Sequence, residues 1–163
     1  MFNSESEDLG GFREIILPGA FDRALREAHD VRALWNHNAD VVLGRTKSGT
    51  LRLSVDEHGL RSEIDMPETR AAEDALASIR RGDVDGMSFG FRVLTDNWRS
   101  QDGVQIRELT DLELLDVSPV AYPAYPATQV STRALERAKA EPTAAPAPDG
   151  IPTENIRLRR VER

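Results

Sequence analysis

The chain has no cysteine. That excludes disulfide frameworks, zinc–thiolate sites, iron–sulfur clusters and a cysteine nucleophile, and it fits a reducing compartment. No apolar run reaches the roughly 18 residues that a membrane-crossing helix needs, so no membrane partner is expected. Histidine is scarce, with 3 among 163 residues. Any imidazole chemistry must therefore fall on His29, His37 or His58. Basic residues are outnumbered, 21 Lys and Arg against 28 Asp and Glu, for a net charge of −7. A nucleic-acid partner is disfavoured, because phosphate neutralisation needs a basic face. The excess of acid lies in residues 1–130, since residues 131–163 are mildly basic. Metal and phosphate motifs are missing too: no His-Glu-x-x-His, no calcium loop and no glycine-rich phosphate loop. No cofactor and no metal are expected. The stretch Met1-Phe2-Asn3-Ser4-Glu5-Ser6-Glu7-Asp8 is acidic and lacks an apolar core, so it does not read as a secretory signal.

What is present is a chain of short alternating segments separated by turn signals. Residues 12–17 read as a strand, and Pro18-Gly19 leads into a helix over 20–29 with Phe21, Ala24, Leu25 and Ala28 on one stripe. Val31, Ala33 and Trp35 alternate as a half-buried strand does, and a continuing strand would put His37 on the side of Trp35. Strands follow at 41–45, 51–55 and 60–66, with turns at Lys47-Ser48-Gly49-Thr50 and Asp56-Glu57-His58-Gly59. Pro67 and Glu68 open a second helix, which Arg80, Arg81 and Gly82 close. Met87, Phe89, Phe91 and Val93 form one face of a strand whose other face carries Ser88, Gly90 and Arg92. Val104–Leu109 pairs back on it, and Leu112–Val120 reads as a further strand interrupted at Pro119. A third, short helix is expected over 131–140, followed by an Ala/Pro-rich linker and a basic tail over 141–163. The fold expected is mainly β, of the α+β class: a compact antiparallel, barrel-like core with two or three surrounding helices.

Ser88 sits in Gly86-Met87-Ser88-Phe89-Gly90, which spells the G-x-S-x-G of a nucleophile elbow. That elbow belongs to a fold whose histidine follows the serine, and no histidine follows His58. The elbow reading fails on chain order. A serine nucleophile still needs a base. His29 lies at a helix end among charges and His58 at a turn tip, so both read as solvated. His37 ends an apolar strand and is the candidate base. A third group would orient its ring. Asp116 is the acid embedded in Leu114-Leu115-Asp116-Val117, where a lone carboxylate is costly. Glu113 is the neighbouring alternative, expected on the opposite face of the strand from Leu114 and Asp116. A packed, hydrogen-bonded role for each of these residues stays open at this point.

Four blocks together resemble the prohead (capsid maturation) serine proteases of tailed phages. They are Glu14-Ile15-Ile16-Leu17-Pro18-Gly19-Ala20-Phe21; Leu34-Trp35-Asn36-His37-Asn38 with Val42-Leu43-Gly44-Arg45; Gly86-Met87-Ser88-Phe89-Gly90-Phe91; and Leu115-Asp116-Val117-Ser118-Pro119-Val120-Ala121-Tyr122-Pro123-Ala124. Their order and spacing match, and they span about residues 1–130, the expected protease domain. The resemblance implies a serine endopeptidase with a fold similar to the herpesvirus assemblins. It implies Ser88 as nucleophile and His37 as general base. At the acid position the family more often has glutamate, where this chain has Asp116. Family members usually begin with a strand ahead of the Phe2-Asn3 region, and the domain is expected to lack it. The implied substrate is the major capsid protein or a scaffold protein, together with the enzyme itself. The implied place is the assembling procapsid in the host cytoplasm, and a homo-oligomer is compatible with that role. The competing reading is a catalytically inactive scaffold or assembly module with the same fold.

Overall fold

The computed structural model describes residues 1–128. The expected helix at 131–140 and the linker and tail at 141–163 lie outside the described residues. Seven strands and two helices follow one another as β1 (Phe12–Ile16), α1 (Asp22–Arg26), β2 (Arg32–Trp35), β3 (Asn38–Arg45), β4 (Leu51–Val55), β5 (Leu60–Ile64), α2 (Arg70–Arg81), β6 (Gly86–Gln101) and β7 (Val104–Val120).

The long hairpin of β6 and β7 is the frame. Its turn is Asp102-Gly103, both at positive φ (51° and 82°). β6 runs antiparallel along all of β7. The other edge of β7 is shared: β1 pairs parallel with its first half and β2 parallel with its second. β3 then pairs antiparallel with β2, giving a five-stranded mixed sheet. β4 and β5 form a separate two-stranded hairpin. This corrects the expected antiparallel barrel. The sheet is open and contains two parallel pairings. The strands expected at Val104–Leu109 and Leu112–Val120 are one continuous strand, with Pro119 at its end opposite Met87, whose N–H turns to Thr128 and away from β7.

Two one-residue insertions in β7 decide which side chains reach the core. Thr110 and Leu115 have no partner on β6, so the pairing jumps at each. A bulge resets the two-residue alternation. Leu109, Leu112, Leu114 and Val117 therefore all enter one core, with Ile16, Phe21, Val31, Ala33 and Leu43. Phe89 lies at the aromatic centre of this core, 5.6 Å from Phe21, 5.0 Å from Phe91 and 5.7 Å from Tyr125 between ring centroids.

The helices cover this side of the sheet. α1 is shorter than the stripe of Phe21, Ala24, Leu25 and Ala28 suggests, and Ala28 already sits at φ 49°. α2 starts later than Pro67 implies. Thr69 is its N-cap, accepting the Ala72 N–H at 3.3 Å, and Gly82 ends it at φ 80°.

Candidate active site

Asn36 and His37 make the whole turn between β2 and β3, with Trp35 paired to Asn38. Both have left-handed backbone, φ 53° and 57°. Two successive positive φ values are what a tight hairpin with the right-handed strand twist requires. His37 is thus at a turn and not, as alternation suggested, on a continuing strand beside Trp35. The Asn36 N–H is held by the carbonyl of Pro119 at 3.0 Å, which ties this turn to the end of β7.

That tie brings the imidazole to the acid. His37 Nδ1 lies 2.7 Å from Asp116 Oδ1. A carboxylate only accepts, so Nδ1 carries a proton, and in the neutral ring the lone pair is then on Nε2. Glu113, the alternative acid, is engaged elsewhere, paired with Arg92. The bulge at Leu115 also changes the facing of these residues. Leu114 is in the core, and Asp116 projects on the opposite side, the face that Glu113 shares through its partner Arg92.

Ser88 stands on the same face as Asp116. In the β6–β7 pairing Gly90 is opposite Asp116 and Ser88 is opposite Ser118. Directly opposed residues of an antiparallel pair project together, with Cβ atoms about 5 Å apart. Ser118 Oγ donates to Asp116 Oδ1 at 2.7 Å. The face therefore reads His37, Asp116, Ser118, Ser88 in spatial order. No hydrogen bond joins Ser88 to His37 among the described residues. Such bonds are commonly long without substrate and tighten in the reacting complex. Of the two serines, Ser118 is fully buried with its hydroxyl committed to Asp116, while Ser88 is partly exposed.

The two glycines around Ser88 are each set by a contact. A Cβ at Gly90 would lie 2.1 Å from Asp116 Oδ2, and one at Gly86 would lie 2.6 Å from the Pro123 ring. The G-x-S-x-G spelling thus records room for the acid and for the chain after β7, with Ser88 within a strand.

A cavity of about 250 Å³ opens beside Ser88. Its apolar lining comes from Ile16, Phe21, Met87, Phe89 and Val117, and its charged lining from Asp56, His58 and Arg61. His58 is exposed at its turn, as expected, and its nearest charged partner is Glu57 at 3.6 Å. It shares a cavity with Ser88 but no acid holds its ring as Asp116 holds that of His37. The outer edge of β6 is capped at this point by Thr128, whose hydroxyl accepts the Met87 N–H at 3.1 Å and lies 2.6 Å from the Met87 carbonyl. No group of His, Asp and Glu side chains suited to a metal ion occurs among the described residues.

Sequence reasoning singled out His37, Ser88 and Asp116, and the fold brings all three to one end of the β6–β7 hairpin. It missed Ser118 and the function of Gly90. Ser118 was readable in principle, because it follows Asp116 by the two-residue strand period.

The sheet face presents a serine and an acid-held histidine, the residue types that serine-hydrolase chemistry uses. The chain belongs to the caudovirus prohead serine proteases, whose family model it matches over residues 1–142. It is similar to the prohead protease of Enterobacteria phage HK97, at 35% identity over 102 residues, 60% of this chain. The match covers 41% of that relative, so the chain spans about four tenths of the length of the curated protein it matches. No solved structure matches the chain.

Proposed function

We propose that this chain is a serine endopeptidase that cleaves phage capsid or scaffold protein, and itself, during prohead maturation. The observation that carries the reading is the 2.7 Å contact of His37 with Asp116 on the strand face that also bears Ser88. His37 Nε2 takes the Ser88 proton as Ser88 Oγ attacks the peptide carbonyl carbon. Asp116 holds the Nδ1–H tautomer and stabilises the imidazolium. The imidazolium returns the proton to the leaving amine, and water then cleaves the acyl-serine ester by the reverse proton path.

On this reading the enzyme works inside the assembling procapsid in the host cytoplasm. A homo-oligomer is compatible with it, and the kinship with herpesvirus assemblins belongs to the same proposal. The test is co-expression with the cognate major capsid or scaffold protein, together with labelling by a serine-directed fluorophosphonate. Cleavage and labelling at Ser88 are expected, and Ser88→Ala is expected to lose both while its circular dichroism stays native. Undiminished cleavage by Ser88→Ala would overturn the assignment. A wild type that neither labels nor cleaves would leave the inactive assembly module. Self-processing near the Ala/Pro-rich 141–152 stretch is checked by intact mass. Equal processing of wild type and Ser88→Ala would rule it out.

A further inference from the structure

Asp116 Oδ1 is met twice, by His37 Nδ1 at 2.7 Å and by Ser118 Oγ at 2.7 Å. The Asp116 side chain is 15% exposed and His37 is 39% exposed, while Ser118 is fully buried. The acid therefore bridges a ring at the surface to a hydroxyl anchored in the sheet. His37 lies on a two-residue turn, and an aspartate has two rotatable side-chain bonds. The turn backbone is tied through Asn36, but the imidazole and the carboxylate still rotate about their own side-chain bonds. Ser118 differs, because its backbone is fixed between β6 and the turn that Pro119 receives. Its hydroxyl has no role in the proton path proposed above.

We infer that Ser118 is a positioning residue: its hydroxyl locks the Asp116 carboxylate in the orientation that fixes the Nδ1–H tautomer of His37. Gly90 completes the seat from the other strand, since any Cβ there would collide with Asp116 Oδ2. Ser118 thus acts on Ser88 through two intervening groups, although it faces Ser88 directly across the hairpin. The catalytic meaning of this seat rests on the protease reading; the tautomer itself does not.

The decisive readout is therefore spectroscopic. Long-range ¹⁵N–¹H correlation spectra of the full chain report which ring nitrogen of each histidine carries the proton, and His37→Gln assigns the signal. Wild type is expected to show His37 as the Nδ1–H form. Ser118→Ala is expected to move it to a mixture with the Nε2–H form, with native circular dichroism. Ser118→Thr, which keeps the hydroxyl, is expected to restore the wild-type pattern. Fluorophosphonate labelling of Ser88 should slow at least about tenfold in Ser118→Ala and recover in Ser118→Thr. An unchanged Nδ1–H form in folded Ser118→Ala overturns the proposal, as does a wild type in the Nε2–H form. Absence of labelling in a wild type with the expected tautomers would instead sink the protease reading and leave the seat standing.

Discussion

At the scale of single residues, the site depends on small side chains as much as on reactive ones. Gly90 is the sharpest case. An added Cβ would lie 2.1 Å from Asp116 Oδ2, and the atom in its way is the carboxylate itself. Gly90→Ala is therefore expected to keep the fold, because the displaced group ends a short side chain near the surface. The carboxylate would swing away from His37. A misplacement of about 1 Å at a catalytic group costs on the order of 10²-fold in rate, and that loss of substrate cleavage is expected while circular dichroism stays native. Near wild-type cleavage would show that Asp116 does not need its present position. The sequence singled out the candidate residues, because histidine is scarce and a carboxylate amid Leu114, Leu115 and Val117 is conspicuous. It did not reveal how they meet. Simple alternation puts Asp116 on the side of Leu114, and only the unpaired Leu115 turns the acid to the other face. A bulge leaves no composition signal, since its extra residue is an ordinary leucine.

At the scale of elements, boundaries follow capping geometry more closely than propensity. Pro67 and Glu68 look like a first helical turn, yet α2 begins after Thr69, whose hydroxyl takes the Ala72 N–H. Proline at the entry is compatible with either start, because a fixed φ suits both an extended approach and a first turn. The hydroxyl decides. Thr69→Ala removes that acceptor and is expected to destabilise the fold by about 1 kcal/mol. A lower urea midpoint at unchanged slope would report it, and an unaltered midpoint would mean that water replaces the cap without cost. The same logic explains the β2–β3 connection. Asn36 and His37 are both residue types enriched in left-handed backbone, and the pair alone closes the turn. Reading His37 as the end of a strand missed this, because nothing in the apolar spacing marks the two positive φ values.

At the scale of the whole molecule, most strand and helix positions were legible, while the closure of the sheet was not. Alternation tells which residues face a core but not which strand lies beside which. Two parallel pairings onto one long strand make an open sheet where a meander would have suggested a barrel. The acidity of the chain is likewise legible, but its consequence depends on what the carboxylates touch. Asp30 is held down to about 2 by the Arg45 guanidinium. Asp65 is lowered by Arg52, Asp8 by the N–H groups of Gly11 and Gly10, Asp56 by the N–H of His58, and Glu27 by the His29 ring. Each of these folded-state values lies below that of the unfolded chain, so each contributes stability above the ordinary carboxylate range and loses it as pH falls through the folded value. All five are fully exposed, which makes the individual contributions small and sensitive to salt. The urea midpoint is therefore expected to hold steady from about pH 7 to 5 and to decline from about pH 4 toward the Asp30 value of about 2. Added sodium chloride should flatten that decline. Asp30→Asn should remove part of it, because the Arg45 pair holds the Asp30 carboxyl down at about 2. A midpoint that rises on acidification would contradict the sign of the linkage and show that repulsion among the excess acids outweighs their pairing.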